Sequence, residues 1–342
     1  MLTRNVSGSP QVYYTSLMEP VEIPPKCCIE TALLQEGMAG SPHLQECESL
    51  ESFLNKHPTA RVLFVRGGGL GDVLCLTPVL VVLRERYPSA RFAVGTSCAS
   101  IFRDWPEIET VDPRRVHGGY YDIGFMLDGI LELDYVPGSY YRGKPRLQIY
   151  LDVLGMKKIR DPVFRLTVAP EDRMFARDKL GCTTGNGRKT IGVQVAGNSP
   201  MRQLPWDTVK NVIEGIAREG HTGVVLHNEK VPLEGKGIIN LSGETTLHQL
   251  AAVIHALDLV VTMDSGAMWV AHTTQTPLVA VLGPTRPEDK TCYHLNCRNL
   301  ETNRWIGCDS CFESTEACGG SVACLRDADA GRILAEVLEA AE

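Results

Sequence analysis

No apolar run in this chain of 342 residues approaches the ~18 to 20 needed to cross a bilayer, and Met1 to Pro10 carries no apolar signal core. The expectation is a soluble, cytoplasmic protein without a transmembrane segment. Positive charge is also scarce. Lys plus Arg total 34 against 41 Asp plus Glu, a net charge of -7, so bulk electrostatic binding of nucleic acid is disfavoured. A disulfide framework is disfavoured too, despite 12 cysteines, because such frameworks serve small secreted domains that lack a core. Solenoid repeats are absent. Hydrophobic residues, by contrast, make up 44%, enough to build a core in each of about two domains at roughly 150 residues apiece.

Residues 1–58 mix short β-prone pieces with Pro24-Pro25 and Gly40-Ser41-Pro42 and show no sustained period, so they read as an N-terminal extension packing over the next domain or another subunit. At Arg61 the pattern changes. Arg61 to Arg66 is a short apolar run read as a buried strand, Gly67 to Asp72 a glycine turn, and the apolar spacing through Tyr87 a helix that Pro88 ends. Arg91 to Gly95, Tyr121 to Met126 and Phe164 to Val168 are further strands, and Tyr135 to Tyr150, rich in Tyr, Gly, Pro and Arg, reads as a long loop. The expected first domain is 59–179, followed by a polar linker at 180–189. A second domain, 190–326, carries strands at Thr190 to Val195, Thr222 to Leu226, Leu259 to Thr262 and Leu278 to Leu282, and helices at Trp206 to Glu219 and Thr246 to Ala256. A terminal helix fills 327–342. The fold class is α/β, two Rossmann-like doubly wound domains facing a cleft.

Three segments carry chemistry. The first is the turn Gly67-Gly68-Gly69-Leu70-Gly71-Asp72, where backbone amides at a helix start can approach a phosphate or sugar. It is not the dinucleotide fingerprint, since position 72 is Asp where the third glycine is due, so an oxidoreductase is a poor reading. Asp72 is placed to accept a proton, with helix capping as the ordinary alternative. The second is Asn198-Ser199-Pro200-Met201-Arg202 after a strand; amide, hydroxyl and guanidinium together form a site for a diphosphate. In the third, a strand ends in Asp264-Ser265-Gly266, a helix runs through Trp269, and the next strand ends in Gly283-Pro284-Thr285. Asp264 can accept hydrogen bonds from sugar hydroxyls or cap its helix.

In order and spacing these segments, with Thr77-Pro78-Val79-Leu80 and Leu241-Ser242-Gly243-Glu244-Thr245-Thr246-Leu247 between them, resemble glycosyltransferase family 9, the heptosyltransferases, over about Arg61 to Ala340. The resemblance implies a GT-B architecture, with the acceptor bound mainly by the first domain and a nucleotide-diphosphate sugar by the second. It further implies an inverting transfer of heptose from an ADP-heptose-type donor to a hydroxyl on lipopolysaccharide core or protein. Asp72 would be the general base, with Gly69 and Gly71 in its turn. Arg202 would replace the family's phosphate-binding Lys, beside Asn198 or Ser199; Asp264, Ser265 and Gly266 would meet the donor sugar and diphosphate, and Glu229 the ribose. Trp269 stands where the family tends to place His.

Cys308, Cys311, Cys318 and Cys324 follow the spacing Cys-x2-Cys-x6-Cys-x5-Cys, which predicts one structural tetrahedral zinc or iron knuckle in the segment 308–324, four thiolates leaving no open catalytic position. Metal-assisted transfer is disfavoured, the sole Asp-x-Asp being Asp327-Ala328-Asp329 at a helix start, where capping explains it. Expected partners are the nucleotide-sugar donor, an acceptor glycolipid or protein, and a second copy in a homo-oligomer. The rival readings are a nucleotide-sugar epimerase or hydrolase of the same fold, and a metal-knuckle nucleic-acid-binding or scaffold protein.

Overall fold

The computed structural model describes residues 2–5, 7, 11–14, 20–23, 27–30, 41–42, 44–115, 120–135, 139–181, 187–197, 199–311 and 318–342. The chain divides into two units, Met1–Arg165 and Leu166–Glu342, each built on its own sheet.

The first unit contains β1 (Leu2–Asn5), β2 (Gln11–Tyr14), β3 (Pro20–Ile23), β4 (Cys27–Glu30), β5 (Leu44–Glu46), α1 (Leu50–Lys56), β6 (Arg61–Val65), α2 (Leu70–Arg86), β7 (Arg91–Gly95), β8 (Ile108–Val111), β9 (Ile123–Met126) and α3 (Arg146–Leu154). Its main sheet has the order β5-β1-β4-β9-β6-β7-β8. Strands β4, β9, β6, β7 and β8 run parallel, and their buried apolar runs reflect a sheet covered on both faces. Phe64 on β6 stacks on Phe92 of β7 and Phe125 of β9, with ring centroids 6.5 and 5.8 Å apart, and so ties the three central strands together.

The extension is more than a cover. Residues 1–58 supply β1, β4 and β5 to this sheet, with β4 parallel to β9, because β9 would otherwise present an open edge. One disulfide also stands where none was expected, between Cys28 on β4 and Cys47 just past β5. β1 lies between the two strands and pairs with both, Arg4 opposite Cys28 of β4 and Thr3 opposite Glu46 of β5.

Helix α2 carries Pro78 in its interior, which removes an amide and leaves the carbonyl four residues back without its helical donor. The hydroxyl of Thr77 donates to that carbonyl, Leu74 O, at 2.7 Å, and in turn accepts the Arg165 amide at 2.9 Å. That second bond explains why Phe164 to Val168, expected as a strand, is not one: the segment is held to a helix instead of a sheet. Tyr135 to Tyr150 is likewise not all loop. Pro145 opens α3, which covers Arg146 onward and ends at Gly155 in the left-handed conformation.

The second unit contains α4 (Pro170–Leu180), β10 (Thr190–Gln194), α5 (Trp206–Arg218), β11 (Thr222–Leu226), β12 (Ile238–Asn240), α6 (Leu247–Ala256), β13 (Leu259–Met263), α7 (Gly266–Thr274), β14 (Leu278–Leu282), α8 (Pro287–Lys290), β15 (Cys297–Glu301), α9 (Thr302–Trp305), α10 (Ala323–Arg326) and α11 (Ala330–Ala341). All six strands are parallel in the order β12-β11-β10-β13-β14-β15. Helix α4, expected in the first domain, packs on α6, and Lys179 near its end pairs with Glu244 at 2.7 Å. The division therefore falls before α4 and not at the expected linker 180–189, of which 182–186 lie outside the described residues. Asp329 caps α11 by accepting the Arg332 amide at 2.6 Å, as the capping reading of Asp-x-Asp requires. Among the described residues no helix is long and apolar enough to cross a membrane.

Candidate functional site

Open α/β sheets bind ligands outside the carboxyl ends of their strands, where the winding reverses. In the first unit the chain leaves β6 toward β7 and β8 and returns to β9 on the other side of β6. The segments after β6 and β9 flank that reversal. They bring together Arg66, Asp72, Asp128 and Glu132.

Asp72 lies in the first turn of α2 and does not cap it; the cap position is Gly69, at φ +80°. A side chain at Gly69 would place its Cβ 2.2 Å from Asp72 Oδ2, so only glycine admits the carboxylate there. Arg66 donates to Asp72 Oδ2 at 2.5 Å, Arg146 donates to Oδ1, and the Tyr150 hydroxyl donates to the Asp72 carbonyl at 3.2 Å. Both arginines are buried. Arg66 also binds Glu132 at 2.8 Å and the Gly68 carbonyl at 3.2 Å. Burial works against the charge of Arg66, but Tyr150, Glu132 and Asp72 around it outweigh burial and hold the guanidinium above its ordinary pKa. Asp128 accepts the Gly67 amide at 2.8 Å, while burial pushes its carboxyl upward. Gly71 is buried within α2.

The second unit reverses its winding between β10 and β13. Ser199 opens a short turn after β10 and accepts the Met201 amide at 3.3 Å, which sets Arg202 toward the end of β13. There Arg202 Nη1 stands 3.5 Å from Asp264 Oδ1, and Lys290 Nζ from α8 stands 3.7 Å from Asp264 Oδ2. Asp264 is not the cap of α7: Ser265 holds that position, and its hydroxyl donates to Gln194 Oε1 on β10. Gly266 begins the helix. Trp269 is buried, with its ring 4.9 Å from that of His272, which meets His294 at 5.1 Å. Burial pulls His272 down to about 4. Glu229 is exposed after β11, one strand farther from β13 than Arg202. Asn198 lies outside the described residues.

Sequence reasoning thus named Asp72, Arg202 and Asp264 but missed Arg66, Arg146, Asp128, Glu132 and Lys290. Arg66 adjoins the glycine turn, which was the available signal. Arg146 is 74 positions from Asp72, and no local spacing joins them.

In the cysteine segment, positions 312–317 lie outside the described residues. The Val322 amide and the Ser321 hydroxyl hydrogen-bond to Cys318 and lower its pKa, in a turn where Gly319, Gly320 and Val322 have positive φ. Burial, then neighbouring Cys311, raises Cys324 to about 11. Cys308 is exposed. Among the described residues no three His, Cys, Asp or Glu side chains converge as a metal set.

The family model for glycosyltransferase family 9 (heptosyltransferase) matches residues 163–320. The chain is 49% identical over 294 residues to lipopolysaccharide heptosyltransferase 2 of Escherichia coli K12, a match covering 67% of this chain and 84% of that protein. To the Salmonella typhimurium protein of the same name it is 49% identical over 101 residues, 26% of this chain, and spans only 29% of that relative's length. Among solved structures it resembles a glycosyl transferase family 9 protein from Veillonella parvula, with TM-score 0.62, 18% identity, and coverage of 83% of this chain and 97% of that one. The iron-containing dodecameric glycosyltransferase TibC from enterotoxigenic E. coli H10407 also has TM-score 0.62, at 14% identity, covering 83% of this chain and 76% of that one. The Escherichia coli K12 relative is matched over most of its length, and the chain belongs to glycosyltransferase family 9, the heptosyltransferases.

Proposed function

We propose that the protein is an inverting transferase that moves heptose from an ADP-heptose-type donor to a hydroxyl of lipopolysaccharide core. The observation that carries the reading is Asp72, oriented by two buried guanidiniums at the winding reversal of the first sheet. A carboxylate oxygen has more than one acceptor site, so each oxygen that accepts from an arginine still has capacity for an acceptor hydroxyl. Asp72 takes that proton while the hydroxyl oxygen bonds to the anomeric carbon and the diphosphate leaves. Arg202 and the first-turn amides of α7 meet the charge that develops on the diphosphate. Relatives supply the choice of donor: TibC has been solved in complex with ADP-D-beta-D-heptose, and the Escherichia coli and Salmonella typhimurium relatives are lipopolysaccharide heptosyltransferases. Asp72→Asn is nearly isosteric. It is expected to leave donor binding intact and to lower transfer by roughly 100-fold or more, the scale of general-base catalysis; transfer close to wild type would reject the base assignment.

The same proposal includes a structural zinc or iron held by Cys308, Cys311, Cys318 and Cys324. One feature supports the fit: hydrogen bonds that favour a Cys318 thiolate. Bound there, the metal supplies folding energy to a segment without an apolar core of its own and takes no part in transfer. Elemental analysis of protein purified without metal-affinity chromatography is expected to find near one zinc or iron per chain. Metal-free, well-folded protein whose four thiols alkylate freely would eliminate the site. A homo-oligomer is expected as well, by likeness to dodecameric TibC.

A further inference from the structure

Lys290 is fully buried, and lysine is almost never so unless its charge is paired. Its ammonium lies 3.7 Å from Asp264 Oδ2, and Arg202 lies 3.5 Å from Oδ1, so one carboxylate stands between two cations. The three come from three strand ends, those of β14, β13 and β10. They differ in exposure: the side chains of Lys290 and Asp264 are 0% and 3% exposed and that of Arg202 is 26%. Lys290 therefore meets Asp264 from the interior and Arg202 from the open side. Two neighbouring charges do not alter this balance. Arg286 is engaged with Asp289 on its own helix at 2.9 and 3.1 Å, and His272, which also faces Asp264, is kept neutral near pH 7 by burial.

An unbalanced buried carboxylate draws in whatever cation can reach it. Without Lys290 that cation is Arg202, and an Arg locked onto Asp264 has little charge left to offer a phosphate. With Lys290 in place, Arg202 Nη1 lies 3.5 Å from both Asp264 Oδ1 and the Asp264 carbonyl, at the outer limit of a hydrogen bond. We propose that Lys290 is a positioning residue for the donor diphosphate: it balances Asp264 from the buried side and so leaves the charge of Arg202 for the phosphates. The inference rests on the donor site proposed above and adds a residue to it that does not touch the donor.

The test is calorimetric titration of full-length protein with ADP at fixed ionic strength. Four forms are compared: wild type, Lys290→Met, Asp264→Asn and the double variant. Lys290→Met is expected to weaken ADP binding about tenfold or more, the scale of a charged hydrogen bond. Asp264→Asn keeps both cations and is expected to bind ADP at least as tightly as wild type. In the double variant, where carboxylate and ammonium are both gone, affinity returns to within a few-fold of wild type. A purely structural lysine gives a different pattern, because the double variant would then stay as weak as Lys290→Met. That result, or unchanged affinity in folded Lys290→Met, overturns the proposal. If Lys290→Met does not fold, the other two variants decide: tenfold loss of ADP affinity in either one overturns it. Absence of ADP binding by wild type instead defeats the donor-site reading, and this inference falls with it.

Discussion

Acidification from pH 7 to pH 4 is expected to destabilise the second unit by about 3 kcal/mol through His272 alone. The ring is buried under α7, with Nδ1 2.8 Å from the Met268 carbonyl, and burial lowers its pKa from 6.5 to about 4. A drop of 6.5 − 4 units at about 1.36 kcal/mol each gives ~3 kcal/mol. The sign comes from proton counting. In the unfolded chain the imidazole takes up a proton near pH 6.5, whereas the folded protein resists until about pH 4, so between these values the unfolded state binds more protons and stability falls as pH falls. The stabilisation is complete above pH 6.5 and gone below pH 4. His294, also lowered by burial, acts in the same direction. Glu244 is separable. Hydrogen bonds from Lys179 and then Lys230 hold it at about 2, so its contribution is lost only below pH 4.5, and at 34% exposure it is small. Urea unfolding at half-unit pH steps, monitored by tryptophan fluorescence, measures the effect in wild type and in His272→Gln. The variant should lose about 3 kcal/mol less over this window. Parallel pH profiles for the two proteins would refute the argument, because they would show that the buried imidazole is not what resists protonation.

Arg202→Ala is expected to weaken binding of the nucleoside diphosphate by about 1.5 to 3 kcal/mol, the range for hydrogen bonds to charged groups, and unchanged affinity by calorimetry would remove Arg202 from the donor site. Gly69→Ala sets a Cβ 2.2 Å from Asp72 Oδ2 at a backbone φ of +80°; transfer should fall at least as far as in Asp72→Asn while donor affinity holds, and normal turnover would show that the carboxylate need not sit where it does.

The elements legible in sequence were those whose local pattern and packing agree. Thr222 to Leu226 and Leu278 to Leu282 read as strands because parallel strands covered on both faces are continuous apolar runs bounded by polar or turn residues. Strands β1 and β5 could not be read that way: Leu-Thr-Arg-Asn and Leu-Gln-Glu are too short and polar to show a period, and they become strands only because β9 offers an edge through β4. The candidate site divides along the same line. Asp72, Arg202 and Asp264 lie beside glycine, proline or serine turns that mark strand ends, whereas Arg146 and Lys290 sit on helices as ordinary cations until tertiary structure sets them against a carboxylate.

Pairing of β4 with β9 also has a consequence in time. Cys27 lies opposite Gly124, and 124 − 27 is 97 positions of chain. During synthesis at ~5 to 20 residues per second, β4 leaves the ribosome roughly 5 to 20 s before the strand it must join. In that interval the native pairings open to β1, β4 and β5 are those with one another, through the antiparallel contacts of β1, and β4 carries an open flank that any other extended segment can fill. The N-terminal strands, first made, are thus among the last to find their place in the sheet, and the nascent chain is most exposed to misassembly before residue 124 emerges.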